Sequence, residues 1–230
     1  MTVPTVDLVG AGPGDPLLLT RRAARLLAGA DVVVADRPSA GPVLALARAG
    51  AERVYVGRSP DGPAWPTEAI ADLLADRARA GRRVVRLKSG DPFVCSRGAE
   101  EMAALAARGV ACAVTPGVTA ATAAPLAAAV TQGATVTVAS GDRDPHAAPV
   151  PWESLADPGA TLVVLTGRAQ QGAIAVRLAA AGLPGDTPAA MVHAAGRPGT
   201  RVARTTLDGL ATTRLPPPAA AVIGGGRAHP

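Results

Sequence analysis

TVDLVGAGPGDPLLLTRRAARLLAGADVVVADR, residues 5–37, is the stretch that decides the fold. Val6 to Val9 is a short apolar run, which predicts a strand. A loop rich in Gly and Pro follows. Thr20 then stands where a helix N-cap is expected, and the helix runs to Leu27. Val32 to Ala35 is a second run, β-branched and too short for a buried helix, so it reads as a strand. A strand, a helix and a strand within about thirty residues predict a parallel pair with a crossover.

The pattern repeats outward. A helix is expected over Val43 to Ala49, closed by Gly50, and a third strand over Arg53 to Val56. The next helix, Thr67 to Ala80, carries Ile70, Leu73, Leu74 and Ala78 on one face and ends at Gly81. A fourth strand spans Val84 to Leu87, a helix Ala99 to Ala107 ends before Gly109, and a fifth strand spans Ala111 to Val114. Short apolar strands alternating with helices imply a parallel α/β sheet, in which ligands sit at the carboxyl ends of the strands. Beyond Pro116 and Gly117 the rhythm changes. Strands are expected at Thr135 to Ala139, Thr161 to Leu165, Ala189 to His193, Arg201 to Thr205 and Ala219 to Ile223, with one helix from Gln170 to Ala181. The polar alternation from Thr200 to Thr206 reads as antiparallel. Two α/β domains follow, residues 1–117 and 118–230.

Composition narrows the function. The 230 residues are 48% hydrophobic and 18% charged, which excludes gross disorder. Aromatics make up only 2%, too few to bind single strands by stacking bases. The net charge is +5, carried by 22 arginines and a single lysine, Lys88. A GC-rich coding bias explains that balance, and so does a site for an anionic ligand, because arginine grips carboxylates bidentately. The arginines are scattered, with no basic tail, so nucleic acid is not the expected partner. No run of 18 strongly apolar residues and no signal segment is visible, so the expectation is a cytoplasmic protein not held in a membrane. Cys95 and Cys112 are too few for a zinc framework, and His146, His193 and His229 are far apart, so no metal is expected.

Three loops carry the chemistry. The first, VGAGPGDP at residues 9–16, lacks the Lys of a phosphate-binding P-loop. It has Asp15 where a dinucleotide fingerprint needs its third glycine, and Pro13 removes a backbone donor. It is either a tight connection or a flat wall against which a ligand rests. The second, RLKSGDPFVCSRGAEE at residues 86–101, has Asp91 before Pro92, which favours a turn. Arg97 and Glu100 lie three apart where the next helix begins, the spacing of a surface ion pair. In the third, TPGVTAA at residues 115–121, Thr119 is a candidate helix cap.

Together these strings resemble the tetrapyrrole methylase family, in the branch that methylates uroporphyrinogen III. VDLVGAGPGDPLLLT, VVRLKSGDPFVCSRGAEE and TPGVTAATAAP carry the resemblance, and TLVVLTG at 161–167 echoes it. The resemblance implies two α/β domains of the tetrapyrrole methylase type, a cleft between them for S-adenosylmethionine, and a homodimer. It implies methylation of two pyrrole carbons of uroporphyrinogen III to give precorrin-2, a precursor of sirohaem and cobalamin. Position by position, Pro13, Ser89, Gly90, Asp91, Val94, Thr119 and Ala120 match cofactor-binding positions. Thr166 and Ala195 fall where the family has a cofactor-contacting methionine and a glycine. Asp36 matches a proton acceptor. Arg97 and Glu100 match groups that handle substrate or protons, and Arg37 a substrate-binding group. Arg58 replaces a lysine proton donor. Arginine scarcely gives up its proton, so Arg58 is expected to bind a substrate carboxylate. The segment ending at Gln132 is shorter than usual. These departures keep two alternatives open: a related methylase acting on a later corrin intermediate or another metabolite, and a binding relative without catalysis.

Overall fold

The computed structural model describes residues 3–36, 41–57, 65–131, 133–141, 150–166 and 170–227. Arg37, Arg58, Gln132, His146 and His229 lie outside the described residues, as does the side chain of Thr166. The chain divides into two compact units, Met1–Thr119 and Ala120–Pro230.

The first unit is a five-stranded parallel sheet. Its strands are β1 (Thr5–Gly10), β2 (Val32–Ala35), β3 (Glu52–Tyr55), β4 (Val84–Lys88) and β5 (Ala111–Thr115), ordered β3-β2-β4-β1-β5. The helices are α1 (Arg21–Gly29), α2 (Gly41–Leu44), α3 (Thr67–Arg79) and α4 (Gly98–Ala106). Thr20 caps α1 as its residue type implies, accepting from the Ala23 N–H at 3.1 Å. Asp15, which spoils a dinucleotide fingerprint, caps a short 3-10 turn instead and accepts from the Leu17 N–H at 2.9 Å.

The inner strands β1, β2 and β4 are covered on both faces, which is why they read as largely apolar runs, whereas the edge strand β3 alternates half-buried and exposed residues. Val6, Val32, Val34 and Val84 pack against Ile70, Leu74 and Leu105. Val9, Val33, Val85 and Leu87 pack against Leu27, Val43 and Leu44 on the other face. The helix expected over Val43 to Ala49 is a correction: α2 stops at Leu44. Beyond it the amides of Leu46 and Ala47 bond three residues back, to Val43 and Leu44. That tightening suits a chain turning into β3.

The second unit carries α5 (Ala120–Ala127), β6 (Val130–Thr131), β7 (Thr135–Ser140), α6 (Trp152–Leu155), β8 (Ala160–Thr166), α7 (Gln171–Ala180), β9 (Pro188–His193), β10 (Arg201–Thr206), β11 (Ala219–Gly224) and β12 (Gly226–Arg227). Five of its strands form a mixed sheet ordered β10-β9-β11-β8-β7, in which only β7 and β8 run parallel. The antiparallel β9–β10 pair matches the polar alternation of its sequence. β6 and β12 form a small separate ribbon that no sequence period announces. Trp152 is fully buried against α7 with Leu178 and Met191.

The loops after β1, β4 and β5 meet backbone to backbone. A Cβ on Gly10 would lie 2.5 Å from the Gly117 nitrogen and 2.7 Å from the Gly90 carbonyl oxygen. Gly12 and Gly90 exchange two hydrogen bonds, at 3.1 and 2.9 Å. Only glycine lets three main chains approach so closely.

Gly10→Ala is therefore expected to destabilise the protein by about 1–3 kcal/mol, the usual cost of overpacking. Gly50→Ala, where a Cβ meets nothing within 4 Å, is the control and should stay within about 0.5 kcal/mol of wild type. Urea unfolding of both variants checks this. Equal midpoints would refute the close approach.

Candidate active site

Four charged side chains gather at the carboxyl end of the first sheet. Alternation along β4 sends Val84, Arg86 and Lys88 to the face covered by α3 and α4. Arg86 is 1% exposed and Lys88 3%, in the middle of a sheet buried on both sides. Glu101, in the first turns of α4, answers both. Its carboxylate accepts from Arg86 Nε at 2.8 Å and Arg86 Nη2 at 3.0 Å, and from Lys88 Nζ at 2.5 Å. Arg86 Nη2 also donates to Asp36, which follows β2, and Arg86 Nη1 donates to the Val34 and Leu87 carbonyls. The other Asp36 oxygen accepts from the Ser89 N–H at 3.2 Å. Two cations and two carboxylates thus form one neutral cluster.

Burial pushes the Asp36 carboxyl toward higher pKa. The charges of Arg86 and Lys88, with hydrogen bonds from Arg86 and Ser89, outweigh it and hold the pKa below the usual value. Asp36 is therefore ionised at neutral pH. Burial alone disfavours the charged form of Arg86, but Asp36 and Glu101 reverse that and raise its pKa.

Asp91 also proves to be fastened. Its two oxygens accept from the Phe93 N–H at 2.8 Å and the Gly117 N–H at 3.0 Å, so it ties the β4 loop to the β5 loop. The turn is helped by Gly90, whose φ is +68°. A Cβ there would meet only the Thr119 Cα, at 3.9 Å, an ordinary van der Waals contact, so the β4 loop passes close to Thr119. Pro13 is buried, Val94 and Thr119 are half-buried, and Ser89 is exposed. Gly98 shuts the loop by donating to the Pro92 carbonyl at 3.1 Å. Arg97 and Glu100 are both exposed, and among the described ion pairs none joins them, so the expected surface pair is not formed.

The structure thus brings Asp36, Ser89, Gly90, Asp91 and Thr119 to one edge of the first unit. In the second unit, Ala195 is buried in the apolar cluster of Val192, Ala220 and Ala124, and Thr166 is the last residue of β8. Sequence reasoning passed over Glu101 in favour of its neighbour Glu100, and left Arg86 and Lys88 unassigned. The signal was present: two cations at alternate positions of an otherwise apolar central strand need a buried counter-charge. Among the described residues no three His, Cys, Asp or Glu side chains form a metal-binding group, and no helix is long and apolar enough to cross a membrane.

Comparison with known proteins gives the site a context. The sequence profile of the Tetrapyrrole (Corrin/Porphyrin) Methylases matches residues 5–211. A siroheme synthase of Ectopseudomonas mendocina is 43% identical over 210 residues, 89% of this chain and 46% of that protein. A siroheme synthase of Pseudomonas aeruginosa is 42% identical over 210 residues, 89% of this chain and 45% of that protein. The chain therefore spans about half the length of the curated relatives it matches. The uroporphyrin-III C-methyl transferase of Thermus thermophilus, complexed with S-adenyl homocysteine, superposes with a TM-score of 0.81 at 38% identity, covering 96% of this chain and 92% of that one. A cobalt precorrin-4 methyltransferase gives 0.81 at 29% identity, covering 96% and 94%.

Glu101→Gln leaves two buried cations with too little negative charge and is expected to cost about 3–5 kcal/mol of stability. The Asp36 contribution has a definite pH sign. Its folded pKa lies below the unfolded value near 3.8, so the contribution is present above about pH 4 and is lost as pH falls through the folded value. Chemical denaturation of wild type and Asp36→Asn should show a gap at neutral pH that narrows progressively as pH falls below the unfolded value. A gap that does not change with pH would contradict the assignment.

Proposed function

The chain belongs to the tetrapyrrole methylase family, and from that premise we propose that it is an S-adenosylmethionine-dependent C-methyltransferase that converts uroporphyrinogen III to precorrin-2. The observation that carries this reading is the likeness to the Thermus thermophilus uroporphyrin-III C-methyl transferase over more than nine-tenths of both chains. The residues present fit such a cofactor. Gly90 carries no side chain, and a Cβ there would meet nothing nearer than the Thr119 Cα at 3.9 Å, so its main chain is open to a close approach by a ligand. Pro13, Ser89, Gly90, Asp91, Val94, Thr119 and Ala120 are the residues we assign to it, with Thr166 and Ala195 carried over from the resemblance. When bound, the cofactor supplies a methyl group on a sulfonium, an electrophile that needs no metal.

The chain's own residues then orient and accept. Holding two reactants in line can lower a barrier by up to roughly 7–11 kcal/mol, and loops locked by Gly10, Gly90, Gly117 and Asp91 are suited to that. Uroporphyrinogen III carries eight carboxylates, so its recognition calls for cations that are not already paired. Arg97 is exposed beside the proposed cofactor loop and suits a bidentate carboxylate contact, and Arg37 and Arg58 are assigned the same role. Glu100 lies on the adjacent turn of α4 and is assigned to aligning the ring. Asp36 remains ionised and is assigned as acceptor of the proton that leaves the methylated ring. A second reading, methylation of a later corrin intermediate, is favoured by Arg58 in place of a lysine and by the cobalt precorrin-4 methyltransferase among the structural relatives. The proposal includes a homodimer, which light scattering checks.

Incubation with S-adenosylmethionine and enzymatically made uroporphyrinogen III is expected to give a product carrying two added methyl groups by mass spectrometry. An unmodified substrate would overturn the proposed reaction. Arg97→Ala should lose most turnover and leave cofactor affinity nearly intact by calorimetry. Arg97→Lys should still be impaired, because it keeps the charge and loses the fork. Wild-type turnover in Arg97→Ala would remove the assignment.

A further inference from the structure

Lys88 is the only lysine among 23 basic residues. It lies 3% exposed at the end of the central strand, one residue before the proposed cofactor loop. Glu101 explains why a lysine fits there. Arg86 already occupies both Glu101 oxygens with its planar fork, through Nε at 2.8 Å and Nη2 at 3.0 Å. What is left is a single-point contact to Oε1, which the compact ammonium of Lys88 makes at 2.5 Å. The four side chains do not share solvent equally. By side chain alone, Arg86, Lys88 and Glu101 are almost wholly buried, whereas Asp36 is 26% exposed. The cluster therefore reaches the surface at Asp36.

We propose that Lys88 and Glu101 are positioning residues that set the charge on Asp36, acting with Arg86 from inside the fold. The inference rests on the assignment of Asp36 as proton acceptor. Among the described residues, the charged groups acting on Asp36 are Arg86 and Lys88 of β4, and Glu101 of α4 pairs with both of them. Lys88 makes no hydrogen bond to Asp36 in the described contacts and acts on it through its charge, which favours the ionised form. Glu101 works in the opposite sense. It draws on the same arginine and lysine, so it tempers the positive field at Asp36 and keeps that carboxylate a usable base. The two residues therefore have opposite signatures, which a purely structural role does not produce.

The test is a carboxyl-carbon NMR titration of aspartate-labelled protein, with the Asp36 signal assigned by its loss in Asp36→Asn. Lys88→Met removes one cation and is expected to raise the Asp36 midpoint. Its Glu101 keeps the Arg86 fork, so this variant should fold. Glu101→Gln should lower the midpoint. Lys88→Arg retains the charge and should leave it unmoved even if stability falls. In turnover assays, the acid limb of kcat should follow the NMR midpoint variant by variant. Should Glu101→Gln fail to fold, Lys88→Met against Lys88→Arg decides alone. An unmoved midpoint in Lys88→Met, or a loss of kcat with neither midpoint nor limb displaced, would overturn the inference. Midpoints that shift as stated, in a wild-type protein that does not methylate uroporphyrinogen III, would uphold the control of Asp36 and overturn the proposed reaction instead.

Discussion

Two cations placed inside a doubly covered sheet impose the constraint on which the first unit depends. Removing an ion from water costs several kcal/mol even after relaxation, so Arg86 and Lys88 are tolerable only with matched carboxylates in good geometry. Glu101 must therefore lie against β4, which fixes the rotation of α4 about its own axis. Asp36 must lie against Arg86 and the Ser89 amide, which fixes the path of the chain leaving β2. The segments so fixed are those that carry Asp36, the Ser89 to Asp91 turn and the Arg97 to Glu100 turn. Charge neutrality within the core thus settles where the candidate site residues stand.

Main-chain packing supplies the complementary constraint. Gly10, Gly90 and Gly117 bring three loops into contact, and Asp91 bonds across two of them. A side chain of any size at Gly10 or Gly117 would part the loops, and loss of the Asp91 carboxylate would leave two amides without their acceptor. Such an edge is stiff, and stiffness is what orientation catalysis asks of its support. The Gly-rich stretch after β1 is therefore a tight connection in the fold, and the proposed cofactor role would use the same backbone.

The strands of the first unit were legible because parallel strands covered on both faces must be continuously apolar, and Val32–Ala35 is found where the sequence puts it. The cap at Thr20 was legible because its hydroxyl has one favourable local use. The extent of α2 was not, since the alanines from Ala45 to Ala49 suit a helix and only the need to reach β3 ends it early. The β6–β12 ribbon joins residues almost a hundred positions apart, and no local period encodes that. In the candidate site, the loops were legible from Gly, Pro and Asp, whereas Glu101 was missed for a geometric reason. Neighbouring helix residues point about 100° apart, so Glu100 faces solvent while Glu101 faces the core. A sequence separates them only once Arg86 and Lys88 are recognised as buried.

The same reasoning sorts the arginines, whose abundance the composition left open between coding bias and an anionic ligand. Many already have acidic partners: Arg48 and Arg83 hold Asp31, Arg77 and Arg82 hold Glu52, and Arg108 holds Glu68 and Asp72. Exposed pairs of this kind contribute little each, typically under about 1 kcal/mol, and they take up charge that would otherwise be available to a ligand. Arg86 is spent in the core. Arg97 differs from these: it is exposed, it lies at the end of the β4 loop, and no described ion pair engages it. A polycarboxylate gains most from a cation whose partner the protein has not supplied, because no existing pair must be broken to bind it. Part of the positive charge in this chain is thus structural, while other exposed arginines, Arg21, Arg22, Arg25 and Arg53 among them, enter no described ion pair.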